Sequence, residues 1–491
     1  MAKLLIILSI VINSISVSAK SENFEAFESL ILKMMEETGT PGVAVGVFDK
    51  SGPLFLKGFG VKEVGTSNLV TPNTQFAIGS TTKAMTAASL GILVDKHILD
   101  WDRPLKEEYL TDFELMDSQA TNLATLRDLL THRTGLPRHD LSWYGSSDSR
   151  EELYKKLKYL KPSKVFREAM QYQNLMYMTA GIVIERVTGI SWEEFIVDNL
   201  FKPLGMNNTT VSLSAIQKSS DYSYPHSLQK KKAYKIPFRN IDAVGPAGSV
   251  NSSITDMGKW LRLQLNKGIS GDHVILNKDT IKEIHKGQIS TRVSNYPELK
   301  NPKYALGWGV HEFYGEKLIH HGGGIDGFVT FVGFLPEHDR AIVVFGNSES
   351  IIPYFIGFSY FESVINFNFG PWLDRLQRRD LKPIPPVKYI ERKELDRPIS
   401  DYTGKYFHAA YGVVEIKDGS EYNSDLLVEF RDVLKAPVAK YQDDKFMVIL
   451  DEIKLNPSHD IFEFRRDLND NVSKFLYKFE PLVDPIEFLK L

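Results

Sequence analysis

Apolar residues recur with a period near 3.6 in several stretches of the chain, and this spacing predicts amphipathic helices. The first stretch runs from Phe24 to Glu37 and ends before Gly39 and Pro41, two residues that stop helices. A second runs from Thr81 to about Val94. The same pattern predicts further helices at 126–131, 177–188, 192–200 and 253–267.

Short apolar runs bounded by turn residues predict strands on both sides of this helical region. The runs 43–48 and 54–59 flank Lys50-Ser51-Gly52 and predict a β-hairpin. Strand patterns return at 317–320, 328–334 and 341–345. Strands early and late with helices between them favour an α+β fold, with one sheet built from both ends of a domain.

The chain changes character after a Pro-rich stretch, 382–386, which predicts a semi-rigid linker. Beyond it, short strand-like runs alternate with turn signals, as in a small antiparallel barrel or sandwich. These runs lie at 412–416, 426–430, 446–449, 461–465 and 472–479. The predicted organisation is a large domain over 20–380, a linker over 381–395 and a small all-β domain over 396–491.

The N-terminus has the pattern of a secretory signal peptide. Lys3 precedes the apolar run 4–12, and small and polar residues then lead to Val17-Ser18-Ala19. The run is shorter than the about 20 residues that span a bilayer. We expect a signal peptide over 1–19, cleavage after Ala19, a secreted extracellular protein and no membrane span. A buried N-terminal helix is the alternative.

Composition narrows the possible functions. The chain carries 59 basic and 62 acidic residues, so nothing points to nucleic acid or an anionic membrane as a partner. It has no cysteine, which excludes thiol nucleophiles, disulfides and cysteine metal sites. Glycosylation sequons begin at Asn207, Asn208, Asn251 and Asn471, but chance alone supplies about three in a chain of this length.

The first candidate for chemistry is the segment Ser80-Thr81-Thr82-Lys83, at the start of the predicted helix. Residues three apart lie on one helix face, with an axial rise of about 4.5 Å, so Lys83 can reach the Ser80 hydroxyl. A serine nucleophile needs such a base, and a lysine serves if burial favours its neutral form. The structural alternative is an N-cap serine followed by a surface lysine.

This spacing alone is weak, because chance predicts about two Ser-x-x-Lys matches in a chain of this length. The sequence contains a second match, Ser227 with Lys230. It lies in a polar, Lys-rich segment without a helical apolar pattern, so we interpret it as a chance occurrence.

A second candidate, Tyr172-Gln173-Asn174, precedes the helix predicted from Tyr177. A phenol there can relay protons between a lysine and a leaving group, and an amide can hold a substrate carbonyl. The alternative is a loop tyrosine followed by an N-capping asparagine.

The third candidate spans residues 320–328 and begins His320-His321-Gly322-Gly323-Gly324. Its glycines allow close backbone approach, and their N–H groups can form half of an oxyanion hole. The alternative is a Gly-rich hairpin turn. Adjacent histidines on a strand point to opposite faces and cannot bind one ion, so we expect neither a metal nor a cofactor.

In this order, the three segments resemble the serine β-lactamase and penicillin-binding protein superfamily, and specifically its class C β-lactamase, D-aminopeptidase and esterase branch. Residues 129–137 (LLTHRTGLP) are similar to that family's LLTHTSGLP segment, and 100–104, 201–206 and 246–248 also match. The resemblance covers roughly residues 24–370. It implies a β-lactamase-like antiparallel sheet flanked by helices, with a helical subdomain. Residues 401–406 are similar to the opening strand of a lipocalin-like accessory barrel.

The resemblance implies roles for individual residues. Ser80 would be the acylated nucleophile, Lys83 its base partner, and Tyr172 the carrier of the proton to the leaving group. The N–H groups of Ser80 and Gly324 would form the oxyanion hole. Asn174 would hold the substrate amide.

One departure from the family concerns substrate binding. His321, Gly322 and Gly323 replace the family's Lys-Thr-Gly, whose Lys and Thr help bind a substrate carboxylate. A glycine donates no side-chain hydrogen bond, so we expect weak activity on penicillins. An ester, an amide or an amino-terminal D-peptide fits better.

Two functions of different class follow from the sequence. The first is a secreted hydrolase that forms an acyl-enzyme on a small-molecule or peptide substrate. The second is a non-catalytic extracellular or matrix-associated protein on the same scaffold, since a fold does not fix a function. A metal-dependent hydrolase ranks third, for lack of ligand spacing. The sequence leaves the oligomeric state open.

Overall fold

The computed structural model describes residues 24–292, 294, 296–366, 368–379, 390–449, 454–455 and 461–491. The signal segment 1–19 and the Pro-rich stretch 382–386 lie outside these residues, so both stay predictions, as do the domain boundaries. None of the helices within the described ranges combines the length and the apolarity needed to cross a membrane.

The first part of the chain folds into an eight-stranded antiparallel sheet between two layers of helices. The strands of this part are β1 (Gly42–Phe48), β2 (Pro53–Gly60), β3 (Phe76–Ala77), β4 (His226–Gln229), β5 (Lys232–Lys235), β6 (Asn251–Ser252), β7 (Ile269–Ser270), β8 (His273–Val274), β9 (Ile289–Ser290), β10 (Leu299–Tyr304), β11 (Gly309–Phe313), β12 (Glu316–Ile325), β13 (Phe328–Leu335) and β14 (Arg340–Gly346). The sheet order is β2-β1-β14-β13-β12-β11-β10-β9, so the early strand β1 pairs with the late strand β14, which confirms the predicted fold class.

The helices of this part match the predicted ones to within a few residues, with several short helices added. They are α1 (Phe24–Thr38), α2 (Thr82–Asp95), α3 (Leu105–Glu108), α4 (Ser118–Leu123), α5 (Leu126–Leu130), α6 (Arg150–Lys156), α7 (Asn174–Thr188), α8 (Trp192–Ile196), α9 (Lys202–Leu204), α10 (Leu213–Ile216), α11 (Gly245–Gly248), α12 (Ile254–Leu265), α13 (Lys278–Ile284), α14 (Ile352–Asn366) and α15 (Trp372–Arg379). Helix α14 escaped prediction because it is apolar on all faces and shows no period.

Both faces of the sheet are buried, as the composition of β1 shows. Its sequence, GVAVGVF, is buried at every position. Val43, Val45 and Val47 belong to the apolar cluster with α1 and α14, whereas Ala44 and Phe48 belong to the cluster with α2 and α12. Successive side chains of a strand alternate between faces, so a strand covered on both sides must be apolar throughout.

Helix α2 lies at the centre of the helical layer and has almost no exposed face. Residues 82–93 are all buried, against α7, α11 and α13. Its polar side chains bond inside the layer: the Thr86 hydroxyl donates to the Pro246 carbonyl at 2.7 Å, and the Ser89 hydroxyl donates to the Met85 carbonyl at 3.0 Å. A lysine on the first turn of this helix is therefore buried by the fold itself.

The C-terminal part forms a closed eight-stranded antiparallel barrel, so the predicted small β-domain is a barrel and not a sandwich. Its elements are β15 (Ile390–Glu391), α16 (Ile399–Tyr402), β16 (Gly404–His408), β17 (Gly412–Asp418), β18 (Leu426–Phe430), β19 (Leu434–Gln442), β20 (Lys445–Val448), β21 (Lys454–Leu455), β22 (Ile461–Arg466), β23 (Val472–Tyr477) and β24 (Ile486–Lys490). β16 pairs with β24 to close it. Buried aromatic rings, including Tyr406, Phe464 and Phe475, pack against one another.

The four sequons lie in different environments. Asn207 and Asn471 are exposed, and Asn208 is half-buried. Asn251 is buried, and its amide nitrogen donates to the carbonyls of Ser249 and Ser212. The folded protein therefore has no room for a glycan on Asn251, which corrects the inclusion of that sequon among the possible sites.

A buried carboxylate anchors the segment between α5 and α7. Asp128 is fully buried and forms a capping box with Thr125 at the start of α5. It also forms ion pairs with Arg133 and with Arg167, the latter at 2.7 Å. The segment that Asp128 fixes includes His132, whose ring packs against Tyr172.

We expect Asp128→Ala to lower the free energy of unfolding by about 3–5 kcal/mol, because it leaves two guanidinium groups without their buried partner. Urea denaturation followed by circular dichroism measures the change. The matched control is Asp198→Ala, which breaks an exposed pair with Lys202 and should cost under about 1 kcal/mol. Equal effects of the two substitutions would contradict this account of Asp128.

Candidate active site

A 3-10 turn, Gly79–Thr81, leads into α2 and carries Ser80. Gly79 has φ +52°, and a Cβ there would lie 2.8 Å from the Gly324 nitrogen, so both the backbone conformation and the approach of β12 require glycine. Ser80 does not cap α2, because Thr81 occupies the N-cap and no side chain caps the helix. The interpretation of Ser80 as a capping residue is therefore wrong.

The Lys83 amine is enclosed by three oxygen atoms. It lies 3.1 Å from the Ser80 hydroxyl, 2.8 Å from Asn174 Oδ1 and 2.7 Å from the Ala247 carbonyl. A neutral amine has two N–H donors and one lone pair. In the ammonium form Lys83 donates to all three oxygens, and in the neutral form two N–H bonds to the carbonyl oxygens leave the lone pair for the Ser80 hydroxyl proton.

The surroundings of Lys83 favour this neutral form. Burial is the largest effect and lowers the pKa of Lys83 well below its ordinary value, with a further lowering from the positive charge of Arg138. The carboxylate of Asp140 opposes the shift, but it is the smallest of the three contributions. The amine can therefore act as a proton acceptor at a lower pH than an exposed lysine can.

Tyr172 lies beside this pair and stays protonated. Burial raises the pKa of Tyr172, and a hydrogen bond with Ser80 acts in the opposite direction to a smaller extent. The Lys83 amine lies 4.8 Å from the centre of the Tyr172 ring, and the Arg138 guanidinium lies 5.1 Å from it. The structure thus brings the three residues predicted as catalytic into contact.

Asn174 is the first residue of α7, and the preceding residue caps the helix. Gln173 is the N-cap, and its side chain accepts a hydrogen bond from the Leu175 N–H at 2.8 Å. Asn174 is therefore not the capping residue that the alternative interpretation required. Its amide donates to Asp140 at 3.1 Å while its oxygen binds Lys83, so it links the lysine to the segment that follows α5.

The third segment contains both the end of a strand and a hairpin turn, and the three consecutive glycines lie in the strand. β12 extends through Ile325, five residues beyond the predicted end of the strand, and the turn falls at Asp326 and Gly327. Glycines weaken a strand pattern, and this hides the continuation in the sequence.

His320 and His321 point to opposite faces of β12, as expected. His320 Nε2 lies 2.9 Å from His311 Nδ1, whereas His321 Nε2 lies 2.8 Å from the Tyr304 hydroxyl. Burial lowers the pKa of His321 to about 3, so its imidazole is neutral. Across the described ranges, no group of three potential metal ligands occurs.

Each glycine of the third segment has different steric surroundings. A Cβ at Gly323 would overlap the Ile78 carbonyl, and a Cβ at Gly322 would overlap the Tyr354 hydroxyl. A Cβ at Gly324 would meet open space. Tyr354 thus occupies the position where a threonine side chain would otherwise extend from residue 322.

The site contains two residues that the sequence analysis did not find, Tyr354 and Arg138. The Tyr354 hydroxyl has no hydrogen-bond partner among the described residues, and its side chain lines the cavity that contains Ser80. Arg138 directly follows the LLTHRTGLP segment. Half of its side chain is exposed, and its guanidinium forms an ion pair with Asp140 at 2.6 Å. Its position directly after that segment could have identified Arg138 from the sequence. Tyr354 lies in a helix far along the chain and could not be found in this way.

Two cavities meet at Ser80. One has a volume of about 540 Å³ and is lined by Tyr172, Tyr304, His321, Tyr354 and other residues. The second has a volume of about 380 Å³ and is lined by Asp140, Trp143, Tyr144, Asp326, Glu349 and others. Ser80, Arg138 and Gly324 border both. A substrate can therefore extend on both sides of the serine, with an acidic wall on one side.

The barrel holds the segment that forms this acidic wall. Arg431, in the β18–β19 turn, donates to the carbonyls of Leu141 and Tyr144 at 3.1 and 2.8 Å and to that of Ser142 at 3.2 Å. The buried carboxylate of Glu480 accepts the His139 N–H at 2.7 Å. The barrel is therefore part of the structural support of the site.

A serine hydroxyl bonded to a buried lysine at the start of a central helix, beside an antiparallel sheet, defines a serine hydrolase of the acyl-transferring kind. The chain belongs to the Beta-lactamase family, which matches residues 27–356.

Relatives and solved structures agree with this assignment. The chain is 29% identical over 433 residues to the unguisins hydrolase ungD' of Aspergillus campestris, covering 81% of this chain and 78% of that protein. The octameric penicillin-binding protein homologue from Pyrococcus abyssi has 23% identity and a TM-score of 0.63, over 96% of this chain and all of that one. A D-stereospecific amidohydrolase from Streptomyces sp. has 20% identity and a TM-score of 0.55, over 71% and 99%.

We expect Arg431→Met to loosen residues 138–145, because methionine keeps much of the apolar contact but leaves four carbonyl acceptors without their donor. Hydrogen–deuterium exchange should become faster there by about tenfold or more, while β1 stays unchanged. Arg465→Met, which removes an exposed barrel guanidinium, is the matched control. Unchanged exchange of 138–145 in Arg431→Met would show that the barrel does not hold this segment.

Proposed function

We propose that the protein is a secreted hydrolase in which Ser80 is acylated by an ester, an amide or a D-amino-acid peptide. The observation that carries the proposal is the position of the buried Lys83 amine, within hydrogen-bond distance of the Ser80 hydroxyl, Asn174 Oδ1 and the Ala247 carbonyl. The N-terminal sequence pattern supports secretion.

In the proposed first step, the Ser80 oxygen attacks the substrate carbonyl carbon while its proton passes to Lys83. The negative charge that develops on the carbonyl oxygen requires nearby N–H donors. The backbone N–H groups of Ser80 and Gly324 are the candidates. The close approach of Gly79 to the Gly324 nitrogen supports this choice.

The leaving group then needs a proton. Tyr172 lines the same cavity as Ser80 and lies against Lys83, so its phenol can pass the proton from the lysine to the leaving oxygen or nitrogen. Collapse of the tetrahedral intermediate breaks the bond to the leaving group and gives the acyl-enzyme. Water attacks the ester carbonyl in the second half-reaction, with Lys83 and Tyr172 again moving the proton.

The acidic cavity favours substrates with an amino group. Asp140 and Asp326 both have cationic partners, but Glu349 is exposed and has no partner among the residues described. An ammonium group of an amino-terminal peptide would pair with such a carboxylate. The name of the Aspergillus campestris relative states that it hydrolyses unguisins, and that relative supports a hydrolase function.

Penicillins fit the site less well. The imidazole of His321 is neutral where the family's lysine carries a charge, because burial holds its pKa at about 3. Gly322 lacks a hydroxyl, although Tyr354 places one close to the same position. We propose weak turnover of penicillins for this reason.

We expect a fluorophosphonate probe to label Ser80, as measured by mass spectrometry of the intact and digested protein. Lys83→Met should slow labelling by about 10²–10⁴-fold, because the proton acceptor is lost. Ser227→Ala is the matched control, since Ser227 and Lys230 share the spacing but lie in the β4–β5 hairpin. Absence of labelling in a folded protein would favour the non-catalytic alternative.

The labelling rate should also depend on pH in a defined direction. The ammonium form of Lys83 cannot accept a proton, so the rate rises with pH as Lys83 deprotonates. Because burial lowers the pKa of Lys83, this rise is complete well below 10.5. The raised pKa of Tyr172 predicts no decrease up to about pH 10. A midpoint near 10.5 would contradict the neutral lysine.

For an amide that the protein hydrolyses, we expect Tyr354→Phe to raise KM or lower kcat/KM by about tenfold. The free energy of unfolding should change little, because the Tyr354 hydroxyl bonds no described residue. Tyr314→Phe removes a hydroxyl outside the site and is the matched control. An unchanged kcat/KM would show that the Tyr354 hydroxyl does not bind substrate.

A further inference from the structure

A separate cavity of about 480 Å³ lies where α12 and α13 meet the strands β12 and β13. Part of its wall is apolar. The apolar residues are Leu265, Ile281, Ile319, Phe334 and Pro336. This volume lies in the range of small-molecule sites in proteins, about 300–1,000 Å³.

Basic side chains surround this apolar wall. They are Lys50, Lys267, Lys278, Lys282 and Lys317, with Glu337 as the acidic residue among them. Within the described part of the chain, no ion pair or side-chain hydrogen bond involves Lys267, Lys278, Lys282 or Lys317, and Lys50 has a partner only at 3.9 Å. Five cationic groups around one cavity are unexpected in a chain whose net charge is −3.

A buried amide at the cavity supplies a second, independent observation. Gln264 is 3% exposed and lines the cavity. Its oxygen lies 2.9 Å from His285 Nε2, but its amide nitrogen has no partner among the described residues. Burial lowers the pKa of His285 to about 3, so this imidazole is neutral and donates to the Gln264 oxygen. A buried N–H donor without an acceptor costs about 1–3 kcal/mol, which a ligand acceptor would recover.

We propose that this cavity binds a single-chain amphiphile with an anionic head group, a carboxylate or a phosphate. The apolar tail would lie on the wall formed by Ile281, Ile319 and Phe334. The head group would accept hydrogen bonds from Lys317, Lys282 and the Gln264 amide. Because the Gln264 oxygen faces His285 Nε2, accepting from its Nε2–H tautomer, the amide N–H of Gln264 is the group left available.

This site is distinct from the serine site, although the two share a strand. Lys317 and Ile319 lie on the same face of β12 as His321. Lys317 is four residues from His321, or about 13 Å along an extended strand. The proposal therefore does not depend on the proposed function of Ser80.

Isothermal titration calorimetry of the full-length Ser80→Ala protein tests the proposal without turnover. The probes are decanoate, decyl phosphate, decanol, decyltrimethylammonium and inorganic phosphate. We expect one-to-one binding of decanoate or decyl phosphate, with affinity that falls as salt rises. The comparison of these two probes distinguishes a carboxylate from a phosphate head. Equal binding of decanol, or tighter binding of decyltrimethylammonium, would overturn the proposal.

Paired variants then locate the binding site. Lys282→Gln with Lys317→Gln should weaken binding by about tenfold or more, because two charge-assisted contacts are lost. Lys33→Gln with Lys218→Gln makes the same charge change at exposed lysines elsewhere and should have no effect. Thermal unfolding checks that both pairs are folded. Equal affinity in the two paired variants would overturn the proposal.

Blocking Ser80 tests whether the ligand binds in this cavity or in the serine site. Wild-type protein with its serine blocked by a phosphonate should bind decanoate as well as Ser80→Ala does. Loss of binding on blocking would place the amphiphile next to Arg138 in the serine site and would overturn the proposal. Blocking requires a reactive Ser80, but the titrations of the Ser80→Ala protein and its paired variants do not, so failure of this proposal and failure of the hydrolase proposal can be told apart.

Discussion

The organisation of the site depends on the burial of one amine. Lys83 is on the first turn of a helix that has no solvent face, so its charge cannot be hydrated. Three elements far apart in sequence each provide one oxygen to it: the turn before α2, the start of α7 and the short helix α11. Three oxygens match the three N–H donors of an ammonium ion, so it is burial, and not these contacts, that lowers the pKa of Lys83 and favours its neutral form.

The wall opposite this amine shows how one family scaffold accommodates different side chains. His321 and Gly322 change the chemistry of β12, and the Tyr354 hydroxyl from α14 occupies the space that the glycine leaves. The neutral imidazole binds Tyr304 and therefore contributes to the aromatic surroundings of Lys83 and not to anion binding. Charge on this side of the site comes instead from Arg138, which is held by Asp140.

Features that depend on local spacing could be predicted from the sequence, and long-range contacts could not. The Ser80–Lys83 contact follows from helical spacing and from the apolar pattern after it, and Ser227 with Lys230 lies in a hairpin as its polar surroundings indicated. The extension of β12 was missed because glycine weakens strand patterns. β19 was missed because it contains Pro437. Tyr354 lies 274 residues after Ser80 in the sequence. Only the packing of the layers around β12 brings the two residues together.

The guanidinium of Arg431 binds carbonyl oxygens, and every residue type in the chain carries a carbonyl. The side chains of residues 141–144 can therefore be exchanged without loss of this support, whereas their main-chain path cannot. The main-chain shape of the acidic wall is therefore fixed independently of the side chains that this segment carries. During evolution, the substrate range could change through substitutions in this segment while the barrel kept its geometry constant, so the accessory domain would act as a template for a variable recognition surface.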